Sequence, residues 1–375
     1  MVPDFLADKI RNSAGRKISY ATYMNEVLYH PEFGYYMKHK DKVGAKGDFL
    51  TSSNVSDIYG RVFAGLFVRY FKQNAFAPVI CEIGGGTGRF AKQLLEEMKI
   101  LDEDLYHMVS YRMIESSPFH LECQRAVLAG ESGVSFYSSL DEMPEKEMKG
   151  IIFSNELFDA FPVHVVERKN GQLLEVFVSV SDGGELMEST DSPSSPEIEQ
   201  YLTCFDLDLK EGQRMEIPLA MMNYAKKLSC FLTKGSIITV DYGYSFEELM
   251  QPEHHDGSLR GYYQHKMIRD PLLHPGEMDL TSHIHLDALN HALSVEGMLS
   301  ILTKHQGEFL VSAGILEYLQ ENYDPNPFSE QSKRNRAIRN LILDSGWSHG
   351  FQVLIHEKNS NGSWAGIVDD NEKKR

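Results

Sequence analysis

The chain has 375 residues, 42% of them hydrophobic, with 37 Lys and Arg against 54 Asp and Glu and a formal charge of −17. At about 150 residues per domain this is two domains, or one large domain with an insertion, and it is too apolar for a disordered chain. Such an acidic surface repels phosphate backbones, and no run of about 18 apolar residues exists, so the expected partners include neither nucleic acid nor membrane. Cys81, Cys123, Cys204 and Cys230 show no Cys-x-x-Cys spacing, which argues against a disulfide framework or a zinc ribbon. Asp4 and Asp8 sit among the first basic residues, against a secretory or transit segment, and the expected location is cytoplasmic.

In chain order, Ser19 is placed to cap a short helix that Pro31 stops. After Asn54, apolar residues from Val55 to Phe71 recur by threes and fours, predicting an amphipathic helix. Strands are predicted at Val79–Ile83, 111–115, 133–137, 150–154 and 236–241, alternating with helices at 89–99, 119–128 and 219–232. That alternation implies a parallel sheet covered on both faces, in an α/β protein. Alternating stretches at 163–167 and 173–180 around Asn170-Gly171 predict a β-hairpin. Residues 244–300, rich in Gly, Pro, His and Tyr, read as a lid or elaborated loop, and Ser189 to Ser195 as a polar linker. The resulting division is an N-terminal helical region (1–77), a Rossmann-like cofactor core (78–162), a β-hairpin insertion (163–217), core again (218–243), a lid or substrate insertion (244–300), the remaining core (301–358) and a polar tail (359–375).

Glu82-Ile83-Gly84-Gly85-Gly86-Thr87-Gly88 stands between a predicted strand and a predicted helix. Glycines allow a tight turn and close backbone approach, and a helix N-terminus offers free N–H groups. A dinucleotide fingerprint starting at Gly84 would need a glycine where Arg89 stands, and no Gly-Lys-Ser/Thr is present for a Walker loop. What remains is acid-x-Gly-x-Gly-x-Gly, the spacing of Rossmann-like S-adenosylmethionine enzymes. Glu115, closing the second strand, is placed to accept both hydroxyls of a ribose, provided that the first crossover is elongated.

The fourth strand runs into Asn155-Glu156-Leu157-Phe158-Asp159-Ala160-Phe161-Pro162. Ligands of open α/β sheets gather at the carboxyl ends of strands, so Asn155, Glu156 and Asp159 are candidates to orient a nucleophile. The alternative is local: Glu156 caps the following helix and Asp159 faces solvent. His254-His255 and His283-x-His285 with Asp287 raise a metal site, but they lack a helical His-x-x-x-His spacing and no metal is expected. Tyr262 and Tyr263 beside Arg260 either line a channel for a cationic substrate or pack the lid.

Taken together, Gly34-Tyr35-Tyr36, Gly47-Asp48-Phe49-x-Thr51, the glycine loop, Asn155 to Pro162, Asp241-Tyr242-Gly243, Leu259-Arg260 and Pro275-Gly276-x-x-Asp279-Leu280-Thr281 resemble the MidA-like S-adenosylmethionine-dependent methyltransferases, from about Ser19 to beyond His285. The resemblance implies a class I methyltransferase sheet of seven strands. It also implies S-adenosyl-L-methionine as cofactor and S-adenosyl-L-homocysteine as product, held by Glu82, Gly84, Gly86, Gly88 and Glu115, with Gly47, Asp48 and Thr51 approaching from the N-terminal side. Mitochondrial members of that family are associated with protein arginine methylation, and Ser154-Asn155-Glu156-Leu157 is similar to the acidic loop of symmetric arginine methyltransferases, with Glu156 in the guanidinium-binding place. Two departures stand out: Gly85 where many relatives have Pro, and His285 where they have Asp. The expected function is methyl transfer to an accessible arginine of a partner protein. The alternatives are a small-molecule methyltransferase and a cofactor-binding assembly or chaperone module without catalysis.

Overall fold

A computed structural model describes residues 2–39, 56–74, 76–321, 326–343, 350–360 and 364–369. The chain divides into two compact units, one of Met1–Phe49, Phe158–Lys226 and Gly243–Ala292, the other of Leu50–Leu157, Lys227–Tyr242 and Leu293–Arg375.

The second unit is built on a sheet whose strands, in chain order, are β1 (Val79–Ile83), β2 (Ser110–Ile114), β3 (Val134–Tyr137), β4 (Met148–Asn155), β5 (Leu232–Tyr244), β6 (Leu299–His305) and β7 (Phe351–Lys358). Their spatial order is β3-β2-β1-β4-β5-β7-β6, all parallel except β7, which runs antiparallel to both of its neighbours. The sheet is mostly parallel and Rossmann-like, as expected. The central strands are buried on both faces, which is why Gly150–Phe153 reads as an apolar run and Val79–Ile83 as one broken only by Glu82. The order reverses between β1 and β4, and an open α/β sheet forms its ligand crevice at the carboxyl ends flanking such a point. The long first crossover consists of helix α2 (Arg89–Leu101) followed by a further helix, Glu103–Met108.

Helix α1 (Ile58–Gln73) buries Tyr59, Val62, Phe63, Leu66, Phe67 and Tyr70, the stripe the spacing predicts. Phe90 of α2 stacks on Phe153 of β4 with centroids 4.4 Å apart. The expected polar tail contains a short helix, Trp364–Asp369, because Trp364 is an anchor: it is fully buried, stacks on Tyr70 at 4.7 Å and donates its indole N–H to Ser236 Oγ at 2.7 Å. Removing so large a buried ring leaves a cavity and takes one of the two hydrogen bonds described at Ser236 Oγ, which keeps its bond to the Tyr70 hydroxyl at 2.8 Å. Trp364→Ala is therefore expected to lower unfolding free energy by about 3–5 kcal/mol, read from the midpoint of a denaturant titration.

The first unit has its own core, from Leu6 and Ile10 through Tyr20, Tyr23 and Leu28 to Val165, Val178 and Leu280. Ser19 caps helix Tyr20–Tyr29 by accepting the Thr22 N–H. An antiparallel sheet orders Lys17–Ser19, Gln172–Val180, His164–Lys169 and Arg214–Ile217, with Leu186–Asp191 also paired to Gln172–Val180. The hairpin turns at Asn170 and Gly171, both at positive φ (52° and 73°), as a two-residue turn requires. Part of the expected linker is thus a strand. The region expected as a loop holds a second sheet, Lys266–Ile268, Arg260–Tyr263 and Asp279–Thr281 in that order, and helix Leu286–Ser294. Among the described residues no helix is long and apolar enough to cross a membrane.

Candidate functional site

The turn after β1 bends through Gly84, Gly86 and Gly88, all at positive φ (70°, 51° and 81°). It is pinned by Gly84 N–H on Ile114 O at 2.9 Å and by Gln124 Nε2 on Gly86 O at 2.9 Å. A Cβ at Gly86 would meet no atom within 4 Å among the described residues, whereas one at Gly85 would lie 2.6 Å from Met113 Cε and 2.9 Å from Glu82 Cδ. A side chain at position 85 would therefore press on the Glu82 carboxyl group beneath the turn. Gly88, left-handed, starts α2 with no side-chain cap among the described residues, so the helix presents its first-turn N–H groups and the positive end of its dipole.

Two carboxyl groups sit at the ends of β1 and β2. Glu82 is buried and accepts the Tyr111 hydroxyl at 2.7 Å; burial, only partly opposed by that bond, pushes it up to about 7, with the nearby Glu115 charge adding to the rise. Glu115, also buried, accepts the Ser117 N–H at 2.9 Å and lies 3.8 Å from His120 Nδ1. The unfolded chain ionises Glu82 near 4.5 and the folded chain only near 7, so this group costs stability as pH rises through that window. Glu82→Gln is expected to raise the melting temperature at pH 8 and to change it little at pH 5, in thermal scans at the two pH values.

At the end of β4, Asn155 accepts the Tyr59 hydroxyl at 2.9 Å on Oδ1 and donates through Nδ2 to Glu156 Oε1 at 2.9 Å. Tyr242 of β5 donates to Glu156 Oε2 at 3.3 Å. Glu156 is itself left-handed (φ 53°), held there by its N–H on Val240 O at 2.8 Å, while the Leu157 N–H donates to Asp241 at 3.2 Å. A non-glycine residue in that region costs about 1–3 kcal/mol, and such outliers cluster at functional sites. Among the described residues no helix begins at Glu156 for it to cap.

Asp159 belongs to the first unit, in the one-turn helix Phe158–Ala160, and is buried rather than solvent-facing. It accepts Thr281 Oγ1 at 3.0 Å, and its backbone oxygen accepts the Ser282 N–H at 3.0 Å. Burial raises its carboxyl to about 6, against the pull of Thr281 and of the Arg260 charge. Nearby family motifs meet in the same unit: Tyr29 donates to Ala160 O at 2.9 Å, and Tyr36 to Asp279 at 2.6 Å. Tyr262 has the guanidinium of Arg260 5.9 Å from its ring centre and accepts its Nε at 3.2 Å, and Tyr263 stacks on His274 at 4.2 Å, so packing within the unit accounts for both rings. His285 is fully buried, 2.6 Å from the Tyr201 hydroxyl, and burial pushes it down to about 3, so it is neutral at physiological pH. Asp287 accepts the Phe246 N–H. Gly47, Asp48 and Thr51 lie outside the described residues.

In the second unit, then, Glu82, Gly84, Gly86, Gly88 and Glu115 gather at the ends of β1 and β2, and Asn155 and Glu156 at the end of β4, on the two sides of the order reversal. The open side of Gly86, the uncapped helix and a carboxylate just past β2 fit an adenosyl group with a charged amino-acid tail. Sequence reasoning missed Tyr59 and Tyr242. Tyr59 sits within an apolar stripe where an aromatic reads as core, and nothing in the spacing distinguishes its hydroxyl.

The model of an S-adenosyl-L-methionine-dependent methyltransferase family matches residues 62–302. The mitochondrial protein arginine methyltransferase NDUFAF7 of Homo sapiens is 27% identical, covering 91% of this chain and 77% of its own length. That of Mus musculus is 27% identical, covering 92% and 83%. A COG1565 superfamily member from Burkholderia thailandensis, crystallised with S-adenosyl-homocysteine, has a TM-score of 0.86 and 26% identity over 96% of this chain and 92% of that one. The mitochondrial relatives, among them a Drosophila melanogaster homologue, overturn the cytoplasmic expectation. Unpaired cysteines argue only against an oxidising compartment and do not separate one reducing compartment from another.

Proposed function

The chain belongs to the S-adenosyl-L-methionine-dependent methyltransferase family, and on that premise we propose that it methylates an arginine side chain of a partner protein. One observation carries the proposal: Glu156, at the carboxyl end of β4, is held through both carboxylate oxygens by Asn155 and Tyr242. A guanidinium stays protonated, with a pKa above about 12. A fixed carboxylate takes two parallel hydrogen bonds from it and draws positive charge away from the attacking nitrogen. The names of the relatives, protein arginine methyltransferases at 25–27% identity, support the same acceptor.

In this reading Gly84, Gly86 and Gly88 let the backbone turn close against the cofactor's amino-acid tail, with Gly86 on the open side, Glu115 accepts its ribose hydroxyls and Glu82 supports the turn from beneath. Gly47, Asp48 and Thr51 are assigned to the cofactor by family resemblance. When bound, the cofactor would supply a sulfonium-bound methyl: the nitrogen–carbon bond would form as the carbon–sulfur bond breaks, the electron pair staying on sulfur and the displaced proton passing to solvent water. Asn155 keeps Glu156 in one orientation, and Asp159, the second carboxyl group of the loop, orders the turn that follows it.

The test is transfer from isotope-labelled S-adenosyl-L-methionine to proteins of an extract, followed by acid hydrolysis and chromatography of the labelled amino acids. Labelled methylarginine is the expected product. Label confined to small molecules or to another residue type would overturn the acceptor.

A further inference from the structure

We infer that Tyr59 is a positioning residue for methyl transfer, its buried hydroxyl fixing the Asn155 amide and, through it, the Glu156 carboxylate; the inference rests on Glu156 being the acceptor-binding group. Tyr59 is fully buried, and its ring packs against Phe63 and Phe90 at 5.1 and 5.9 Å. Phenylalanine would make those ring contacts equally well. A hydroxyl in such surroundings is costly unless it is bonded. Here it is bonded, 2.9 Å from Asn155 Oδ1.

The direction of that bond matters. Burial, reinforced by the charge of Glu156, pushes the Tyr59 phenol well above its ordinary value, so it is a donor at every working pH. In the pose present the phenol donates to the amide oxygen, and that leaves Asn155 Nδ2 turned toward Glu156 Oε1. Without the phenol the amide loses its second anchor and is held in that pose, among the described residues, only by its bond to Glu156. Tyr242, packed on Phe351 at 4.1 Å between ring centres, braces the other oxygen. The left-handed backbone of Glu156 is consistent with a residue held in one pose by its surroundings.

The experiment compares Tyr59→Phe with wild type in the full chain, in both the native and the Asn155→Ala background. The expected result is an unchanged S-adenosyl-L-homocysteine affinity by calorimetry, an acceptor KM within about twofold of wild type, and a kcat lower by about 10-fold, the worth of one hydrogen bond in the transition state. In the Asn155→Ala background the same change should alter kcat by less than about twofold, because the group through which it acts is gone. An unchanged kcat in Tyr59→Phe, an equal loss in both backgrounds, or failure of Tyr59→Phe to fold would each overturn the inference, the last two by making the phenol a packing element. The assay uses whichever acceptor the wild type methylates. A non-arginine acceptor sinks the arginine reading while the Tyr59–Asn155 coupling is still measured, and arginine transfer without coupling sinks the inference alone.

Discussion

Glu156→Gln is expected to lower kcat for methyl transfer by about 100- to 1,000-fold while leaving S-adenosyl-L-homocysteine affinity within about twofold of wild type. The amide has nearly the shape of the carboxylate and can still accept from Asn155 Nδ2 while donating to the Tyr242 hydroxyl, so the loop should keep its form. It loses the negative charge and, with it, the two-pronged hold on a guanidinium. The groups assigned to the cofactor, Gly84 to Gly88 and Glu115, follow β1 and β2 rather than β4 and should be indifferent to the change. Radiolabel transfer and calorimetry on the same preparation check both halves. Wild-type turnover in the variant would remove Glu156 from the chemistry altogether.

Gly86→Val is expected to weaken cofactor binding by at least about 100-fold, equivalent to about 2.7 kcal/mol. Two effects add. A β-branched residue is poorly suited to a φ of 51°, and its side chain would project into the open side of the turn, where a bound cofactor needs to approach the backbone. Its neighbours differ in kind: a Cβ at Gly84 would lie 3.0 Å from Leu157 Cδ1 and one at Gly88 3.2 Å from Gln124, so changes there disturb the protein's own packing as well. Titration calorimetry with S-adenosyl-L-homocysteine, beside a thermal scan, separates lost binding from lost folding. A folded Gly86→Val protein with native affinity would show that the turn does not hold the cofactor.

The sheet was legible because its central strands are short apolar blocks punctuated by glycine, each with a helical pattern after it; Val79–Ile83 before Gly84 is the clearest case. What escaped were elements without periodicity. Lys266–Ile268 and Asp279–Thr281 have three residues each, too few for alternation to register, and they lie among Gly, Pro and His. Leu186–Asp191 pairs along one side only and is largely exposed, so its polar composition resembles a linker. Within the site, Asn155, Glu156 and Asp159 were visible as residue types at a strand end. Their different surroundings were not: Glu156 takes bonds from Asn155 and Tyr242, while Asp159 lies buried against Thr281. Distant chain segments create those surroundings, and residue spacing carries no record of them.

The position of β7 sets a condition on biosynthesis. Phe351–Lys358 lies between β5 and β6, so this side of the sheet closes only with residues that follow both of those strands in the chain. Until the ribosome has released them, β5 keeps an unpaired edge of the kind that invites aggregation. A nonsense change at position 350, which removes this strand, would therefore be expected to yield insoluble product.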